Sequence, residues 1–328
     1  MKYAYFPGCS QSSTAEEYNR SLLAVAKALG TMELTEIPDW NCCGATPAAA
    51  IVSPTLPTSL AARNLSIARD MGMNEIVAPC AACFKNLRKA SHTLNENLEL
   101  RAQARGALRS RRPDGPASET ASLAVGDRDL SRAPEVRHPL DVVINDVGLD
   151  NVPVKKPLHG LKVASYYGCL LTRPSPSFDD AEHPTTMDRL MEKLGAEAVD
   201  WAYKTKCCGG GIYMFREDVS FAMSADVMAH AKAAGANCLA VGCGFCQLML
   251  DLYQSKLEKI RRTTFRLPIL FFSQLMGLAM DLDRAELGLE KLIVSPFALL
   301  AKTVDAPEGS IEKKAPPKAA KLKKWGEP

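Results

Sequence analysis

The sequence predicts an α/β protein built from two tandem repeated units, each a small parallel sheet with flanking helices. Short apolar segments alternate with helical segments along the 328 residues, and such alternation is typical of parallel sheets covered by helices. Both units carry one cysteine pattern: a strand ending in Gly-Cys, then a Cys-Cys-Gly triplet, then a strand followed by Cys-x-x-Cys. Matching cysteines lie 160, 165 and 163 residues apart, which indicates an internal duplication.

The first unit, residues 1–100, contains three predicted strands and two predicted helices. The strands are expected at 2–6, 32–37 and 75–78. The first helix follows Ser13-x-x-Glu16, which has the form of a capping box, carries apolar residues at helical spacing and stops at Gly30. The second helix covers 58–71 and stops at Gly72.

The second unit, residues 138–301, repeats this order and adds C-terminal helices. Its predicted elements are a strand at 162–167, a helix at 185–194, a strand at 197–202, a helix at 216–234 and a strand at 238–241. Between the units, residues 101–137 are rich in Arg, Ser, Pro and Gly and are expected to be a flexible linker. Residues 302–328 are expected to be a disordered basic tail, with Trp325 as a conceivable docking point.

Composition and charge exclude several classes of protein. The chain is 47% hydrophobic and 23% charged, as in a globular protein. The tail accounts for the net charge of +3, so the body lacks the basic surface that nucleic-acid binding needs. No apolar stretch approaches the roughly 20 residues that span a bilayer, and no signal peptide is expected at the amino terminus. A cytoplasmic location is therefore expected, where eleven cysteines indicate metal or redox chemistry rather than disulfides.

Ten of the eleven cysteines follow the repeated pattern. They are Cys9, Cys42, Cys43, Cys80 and Cys83 in the first unit and Cys169, Cys207, Cys208, Cys243 and Cys246 in the second. Each follows a predicted strand, and the carboxyl ends of parallel strands meet at one edge of a sheet. Five thiols per unit should therefore converge.

Three kinds of site compete for these thiols. A tetrahedral zinc ion takes four ligands and leaves one cysteine of each unit over. A thioredoxin-like dithiol needs only the Cys-x-x-Cys and leaves three over. Iron–sulfur clusters are ligated by thiolates, and one of unusual shape can use a fifth, so this interpretation employs every matched cysteine.

Other residues near the pattern are interpreted more simply. Glycines flank the thiols and should let backbone amides approach a cluster; they are Gly8, Gly44, Gly168, Gly209, Gly210 and Gly211. Cys238 has no counterpart in the first unit and is expected to be a core residue, and His230 a core or rim residue. Neither a Gly-rich dinucleotide fingerprint nor a ferredoxin-type cysteine run is present, so electrons should come from another protein.

With these residues, the sequence resembles the cysteine-rich CCG-domain proteins, and within them the B subunit of heterodisulfide reductase and its relatives. The resemblance covers nearly the whole chain except the linker and tail. It is carried by both Cys-Cys-Gly motifs and by VRHPLDVVINDVG (136–148), FDDAEHPTTMDRLMEKLGAE (178–197) and FSQLMGLAMDLDRAELGLEK (272–291).

The resemblance implies two noncubane [4Fe–4S] clusters, one on each set of five cysteines, with a disulfide cleaved between them. It also implies a ferredoxin-like C subunit and a flavoprotein A subunit as partners. Two other functions stay open: an electron-transfer subunit of a flavin dehydrogenase of the lactate or glycolate type, and a zinc-stabilised scaffold.

Overall fold

Two parallel four-stranded sheets, one in each half of the chain, form the framework of the protein. The computed structural model describes residues 1–109, 130, 132–173 and 178–306. The first sheet has the order β2-β1-β3-β4 and the second β6-β5-β7-β8, with every neighbouring pair parallel. The strands are β1 Lys2–Tyr5, β2 Glu33–Glu36, β3 Glu75–Val77, β4 Glu135–Arg137, β5 Lys162–Tyr166, β6 Glu197–Ala198, β7 Cys238–Val241 and β8 Ile269–Phe271. The predicted α/β fold of two repeated parallel sheets is confirmed.

Helices connect and cover these strands. In the first half they are α1 Gly8–Gln11, α2 Glu16–Leu29, α3 Pro47–Val52, α4 Leu56–Asp70, α5 Ala81–Glu96 and α6 Leu98–Arg109. In the second half they are α7 Pro139–Val142, α8 Thr186–Lys193, α9 Glu217–Ala233, α10 Gly244–Asp251, α11 Gln254–Arg261, α12 Phe272–Ala279 and α13 Phe297–Lys302. A π-helical turn, Val143–Val147, continues α7, and short 3₁₀ turns lie at Leu149–Asn151, Gly210–Ile212 and Leu289–Lys291. Within the described ranges, no helix is both long and apolar enough to cross a membrane.

The start of α2 differs from the prediction. The helix begins at Glu16 with Ala15 as its N-cap and no side-chain cap. The hydroxyl of Ser13 instead donates to the Cys9 carbonyl at 2.8 Å, so it stabilises the turn that carries a cysteine. The predicted capping box is therefore wrong, whereas the stop at Gly30 is confirmed by its left-handed φ of 67°.

The fourth strand of each sheet was not among the predicted elements. β4 pairs with β3 and lies inside the segment expected to be a linker, as does most of α6, so the prediction for 101–137 is wrong at both ends. β4 is held by the Arg137 guanidinium, which contacts Asp141 at 2.8 Å, Glu75 at 3.2 Å and Asp146. The middle of the expected linker, 110–129, lies outside the described residues, as does 307–328 of the expected tail, including Trp325.

The two units share one hydrophobic core. It runs from one face of the first sheet into the second sheet, and a smaller cluster lies under α4, α5 and α6. At the junction the ring of Tyr18 on α2 stacks on Phe271 with centroids 4.2 Å apart. The buried hydroxyls of Ser21 and Ser273 are 2.7 Å apart. This packing of α2 on α12 fixes one unit against the other.

Candidate functional site

The ten patterned cysteines lie at the carboxyl ends of the strands. In the first unit, β1 leads into α1 with Cys9, β2 leads to the Cys-Cys pair, and β3 leads to Cys80 and α5. The second unit repeats this arrangement with β5, β6 and β7. Because the strands of each sheet are parallel, all five thiols of a unit come to one edge, as the sequence predicts.

In the first unit the thiols form a connected group. Cys43 contacts the thiols of Cys83 and Cys42, and Cys80 contacts Cys83. Burial raises the pKa of Cys9, and the nearby thiols of Cys42, Cys80 and Cys43 raise it further. Cys9 and Cys42 are exposed, whereas the other three are buried.

The second unit has the same arrangement of thiols. Cys207 contacts Cys169 and Cys208, and Cys246 contacts Cys208 and Cys243. The sulfur atoms of Cys208 and Cys246 are 3.6 Å apart. Cys169 and Cys207 are half-buried, and the remaining three are buried. Among the described residues, no three His, Cys, Asp or Glu side chains are arranged around a point that could hold a single metal ion.

The two groups of thiols meet. Cys80 of the first unit lies near enough to Cys243 of the second for the Cys243 thiol to lower the pKa of Cys80. Nearby, the Cβ of an alanine at Gly244 would lie only 3.0 Å from Ala15 and 3.5 Å from Ser10, so α10 packs closely on the first unit. The two sets of thiols therefore lie next to each other at the junction of the units.

Contact between thiols separates their pKa values. Hydrogen bonds from the Cys243 and Cys83 thiols lower the pKa of Cys80 well below its usual range. A hydrogen bond from Cys169 lowers the pKa of Cys207, and the pKa of Cys169 is raised in return. Each unit thus holds a cysteine that favours the thiolate form, which is the form that ligates metals.

Backbone amides also donate to the sulfurs. The amide of Gly44 lies 3.4 Å from the sulfur of Cys42, that of Gly209 lies 3.3 Å from Cys207, and that of Gly210 lies 3.4 Å from Cys208. Such N–H···S contacts are typical of iron–sulfur ligands, where they tune the cluster.

The structure gives different reasons for glycine at the predicted positions. An added Cβ at Gly8 or Gly168 would lie 3.0 Å from a thiol sulfur, Cys83 or Cys246 respectively, and both glycines have positive φ. At Gly44 and Gly209 the Cβ would instead meet backbone atoms of Pro57 and Ser220 at 2.8 Å, so these glycines allow a helix to approach. A Cβ at Gly210 would lie 3.3 Å from Met249 and 3.4 Å from the Cys208 sulfur, and no heavy atom lies within 4 Å of a Cβ at Gly211.

The chemistry of this site fits an iron–sulfur group. All the donors that converge are sulfur atoms, and amide hydrogens already point at three of them. Gln11, fully buried two residues after Cys9, has a side-chain nitrogen with no hydrogen-bond partner in the described structure. Such a donor could be satisfied by a sulfide or another acceptor.

Side chains hold the Cys-Cys-Gly turns in place. Ser224 on α9 donates to the Cys208 carbonyl at 2.6 Å, and Ser220 donates to the Gly209 carbonyl at 3.0 Å. In the first unit the Asn86 amide donates to the Cys43 carbonyl. These three supports were not predicted, since single polar residues on amphipathic helices carry no distinguishing pattern.

His138 is a residue of the site that the sequence analysis missed. It directly follows β4, is fully buried, and lies between the two Cys-x-x-Cys turns. Its Nε2 is 3.0 Å from the carbonyl oxygens of both Pro79 and Gly242, the residues just before Cys80 and Cys243. Burial lowers the pKa of His138 to about 4, so the imidazole is neutral near pH 7.

Two other residues lie away from the thiol set. Cys238 is fully buried in β7, as expected of a core residue, and burial raises its pKa to about 12. His230 is exposed and stacks on Tyr203 with ring centroids 3.6 Å apart, so it lies on the surface and not in the core. A cavity of about 390 Å³ lies on the second unit beside the turn that carries Cys207; its lining includes Arg173, Lys204 and Lys206, and Lys206 directly precedes Cys207.

Comparisons with known proteins agree with this geometry. The model of the CCG cysteine-rich domain matches residues 3–88 and 163–251. The 8-methylmenaquinol:fumarate reductase membrane anchor subunit of Wolinella succinogenes is 33% identical over 91% of this chain and 99% of its own length. The B subunit of the ferredoxin/F420H2-dependent CoB-CoM heterodisulfide reductase of Methanosarcina acetivorans is 28% identical over 85% of this chain and 89% of its own length.

Two further matches complete the comparison. A protein of Archaeoglobus profundus that is named as similar to the B subunit of heterodisulfide reductase is 29% identical over 86% of this chain and 92% of its own length. A crystal structure of a hypothetical protein from Helicobacter pylori has a TM-score of 0.69 at 15% identity and covers 90% of this chain and 52% of that one, which supports the fold alone. Both halves match the domain and the relatives match nearly end to end, so the chain belongs to the family of CCG cysteine-rich domain proteins that includes the B subunit of heterodisulfide reductase.

Proposed function

We propose that this chain is the catalytic iron–sulfur subunit of a heterodisulfide reductase-like complex. In this proposal its two thiol sets hold two noncubane [4Fe–4S] clusters, and a disulfide is cleaved, or in reverse formed, between them. The observation that carries the proposal is that the two Cys-x-x-Cys turns meet: Nε2 of His138 lies 3.0 Å from the carbonyl oxygens of both Pro79 and Gly242, the residues just before Cys80 and Cys243. The relatives named as B subunits of heterodisulfide reductase support the reaction class.

Reductive cleavage of a disulfide takes two electrons and two protons and yields two thiols. Iron–sulfur clusters, when bound, supply electrons singly, so two centres next to each other can serve one S–S bond without releasing a thiyl radical. The chain's own part is to hold the two sets in contact and to exclude water from them. Six of the ten thiols are buried: Cys43, Cys80, Cys83, Cys208, Cys243 and Cys246.

The electrons would reach this chain from partner subunits. The sequence holds no dinucleotide fingerprint and no ferredoxin-type cysteine run, which points to an external donor. We infer a ferredoxin-like C subunit and a flavoprotein A subunit as the partners, in line with the multi-subunit complexes to which the relatives belong.

Metal analysis of anaerobically purified protein tests the cofactor. We expect about eight irons and a similar amount of acid-labile sulfide per chain. About four irons would mean that only one thiol set is loaded. Zinc without sulfide would refute the redox proposal and favour the zinc-stabilised scaffold.

Substitution of one ligand in each set tests the shared site. Cys43→Ala and Cys208→Ala should each abolish disulfide cleavage, and the double variant should be little worse, because residues that act as a unit are not additive. Cys238→Ala is the matched control: it removes a buried thiol outside both sets and should keep full iron content. Near-normal turnover in a single variant that has lost its own cluster would refute the shared site.

A second function is favoured by the 33% identity to the fumarate reductase anchor subunit, which extends over 99% of that protein. In this alternative the thiol sets relay electrons within a quinol-linked complex and cleave no disulfide. An electron-transfer subunit of a flavin dehydrogenase of the lactate or glycolate type would relay electrons in the same way. Reduced viologen separates the two functions: a relay chain would accept its electrons but leave disulfides such as CoM-S-S-CoB intact.

A further inference from the structure

His138 connects the two Cys-x-x-Cys turns of the protein. Its Nε2 lies 3.0 Å from the Pro79 carbonyl in the first unit and 3.0 Å from the Gly242 carbonyl in the second. Each carbonyl directly precedes the first cysteine of a Cys-x-x-Cys, namely Cys80 in the first unit and Cys243 in the second. One imidazole therefore touches both turns where the thiol sets meet.

The hydrogen bonds of His138 define its tautomer. The amide of Leu140 donates to Nδ1 at 3.2 Å, so Nδ1 carries no hydrogen. The single ring proton is then on Nε2, which donates to both carbonyls as a shared hydrogen bond. The Tyr18 hydroxyl lies farther from Nε2, at 3.5 Å, and the ring is fully buried, so the two carbonyls are the nearest acceptors of this proton.

Packing keeps the ring in this position. Its centroid is 5.9 Å from that of Phe84, which follows Cys83 in the first unit, and 6.0 Å from that of Phe272, which follows β8 in the second. A Cβ at Gly242 would lie 3.2 Å from Cε1 of the imidazole, so a larger residue there would have to displace the ring by a few tenths of an ångström.

The duplication supplies only one such residue. His138 follows β4, and the residue that follows the equivalent β8 is Phe272, which has no polar atom on its side chain. The same chain position thus provides a donor in one unit and an apolar contact in the other. The donor serves both units.

We propose that His138 is a positioning residue that sets the spacing of the two thiol sets by tying both Cys-x-x-Cys turns to one N–H. The inference rests on the proposed function, since it concerns how the two sets act on one bond. It assigns His138 no contact with substrate and no proton transfer.

Two variants isolate the hydrogen bond. His138→Leu keeps a buried apolar side chain but leaves both carbonyls without a donor. His138→Gln retains an NH₂ group with two hydrogens that can reach both carbonyls. If His138 only fills space, leucine and glutamine should both be tolerated. If His138 acts as a hydrogen-bond donor, glutamine should replace it and leucine should not.

The first measurement uses the full chain free of iron. Mild oxidation with diamide joins neighbouring thiols, and mass spectrometry of digested protein measures the Cys80–Cys243 cross-link against the Cys208–Cys246 cross-link within one unit. We expect the ratio of the two to fall by about fivefold or more in His138→Leu and to stay within about twofold of wild type in His138→Gln. An unchanged ratio in His138→Leu would overturn the inference.

The second measurement uses the iron-loaded chain. With iron content equal to wild type, His138→Leu should alter the magnetic interaction between the two clusters in the electron paramagnetic resonance spectrum, and His138→Gln should restore it. An unaltered interaction in the leucine variant would contradict the inference. If wild type itself held no iron, the proposed function would fail while the cross-linking result would still decide the role of His138.

Discussion

A methyl group added at Gly168 tests how closely the backbone approaches the thiol set. Gly168 precedes Cys169 with φ +65°, and an added Cβ would lie 3.0 Å from the Cys246 sulfur and 3.8 Å from Tyr166. A side chain in the left-handed region costs about 1.5 kcal/mol, and crowding a packed site costs about 2 kcal/mol more. Gly168→Ala should therefore lose about 3.5 kcal/mol of unfolding free energy.

Gly30→Ala is the matched control for this change. Gly30 has φ +67°, and no heavy atom lies within 4 Å of a Cβ there, so only the backbone strain of about 1.5 kcal/mol applies. Urea denaturation of the iron-free chain measures both losses. The loss in Gly168→Ala should exceed the loss in Gly30→Ala by about 2 kcal/mol, which is the cost of crowding the added methyl group against the Cys246 sulfur.

Removal of the sulfur completes the test. In a Cys246→Ala background the added methyl group no longer meets a sulfur atom. Gly168→Ala should then lower the unfolding free energy no more than Gly30→Ala does. The coupling energy between positions 168 and 246 is therefore expected to be about 2 kcal/mol. In the iron-loaded protein, Gly168→Ala should also lower iron content, whereas Gly30→Ala should not. Equal losses in the two glycine variants, with no coupling to Cys246, would refute the close approach that the geometry describes.

Three further predictions follow from other contacts. Arg137→Leu should cost about 3 kcal/mol of unfolding free energy in urea because it strips a half-buried ion-pair network, whereas Arg216→Leu, whose pair is exposed, should leave the midpoint unchanged. Ser224→Ala should cost about 1.5 kcal/mol by leaving the Cys208 carbonyl unpaired; an unchanged urea midpoint would contradict this. The isolated chain should cleave a disulfide with reduced viologen and not with NADH, and NADH-dependent turnover would contradict the need for partner subunits.

Most of the repeated framework could be predicted from the sequence. β7 has the predicted bounds, 238–241, because its four residues are apolar and buried on both faces. β6 is shorter than predicted, Glu197–Ala198, although the amide of Val199 still donates to the Val163 carbonyl. The ten thiols could be placed at the sheet edges because the spacing of the cysteines and the order of the strands can both be predicted from the sequence.

The fourth strands could not be predicted by the same means. β4 consists of Glu-Val-Arg, of which only Val136 is apolar, and its place beside β3 is stabilised by the ion pair of Arg137 with Glu75, which lies 62 residues away in sequence. β8 lies within the apolar stretch from Leu267 to Phe272, which has no alternation to separate a strand from a helix. Both segments depend on tertiary contacts that local patterns do not encode.

The same limit explains why the thiols were found and His138 was not. A duplicated site repeats its ligands, so each cysteine of the first unit has a counterpart that marks it in the second. A residue that joins the two copies occurs once, because one donor placed between them can reach the turns of both. Its counterpart, Phe272, fills the equivalent place without a donor. The junction of a duplicated protein therefore depends on residues that depart from the repeat, and here the departure lies where the two thiol sets meet.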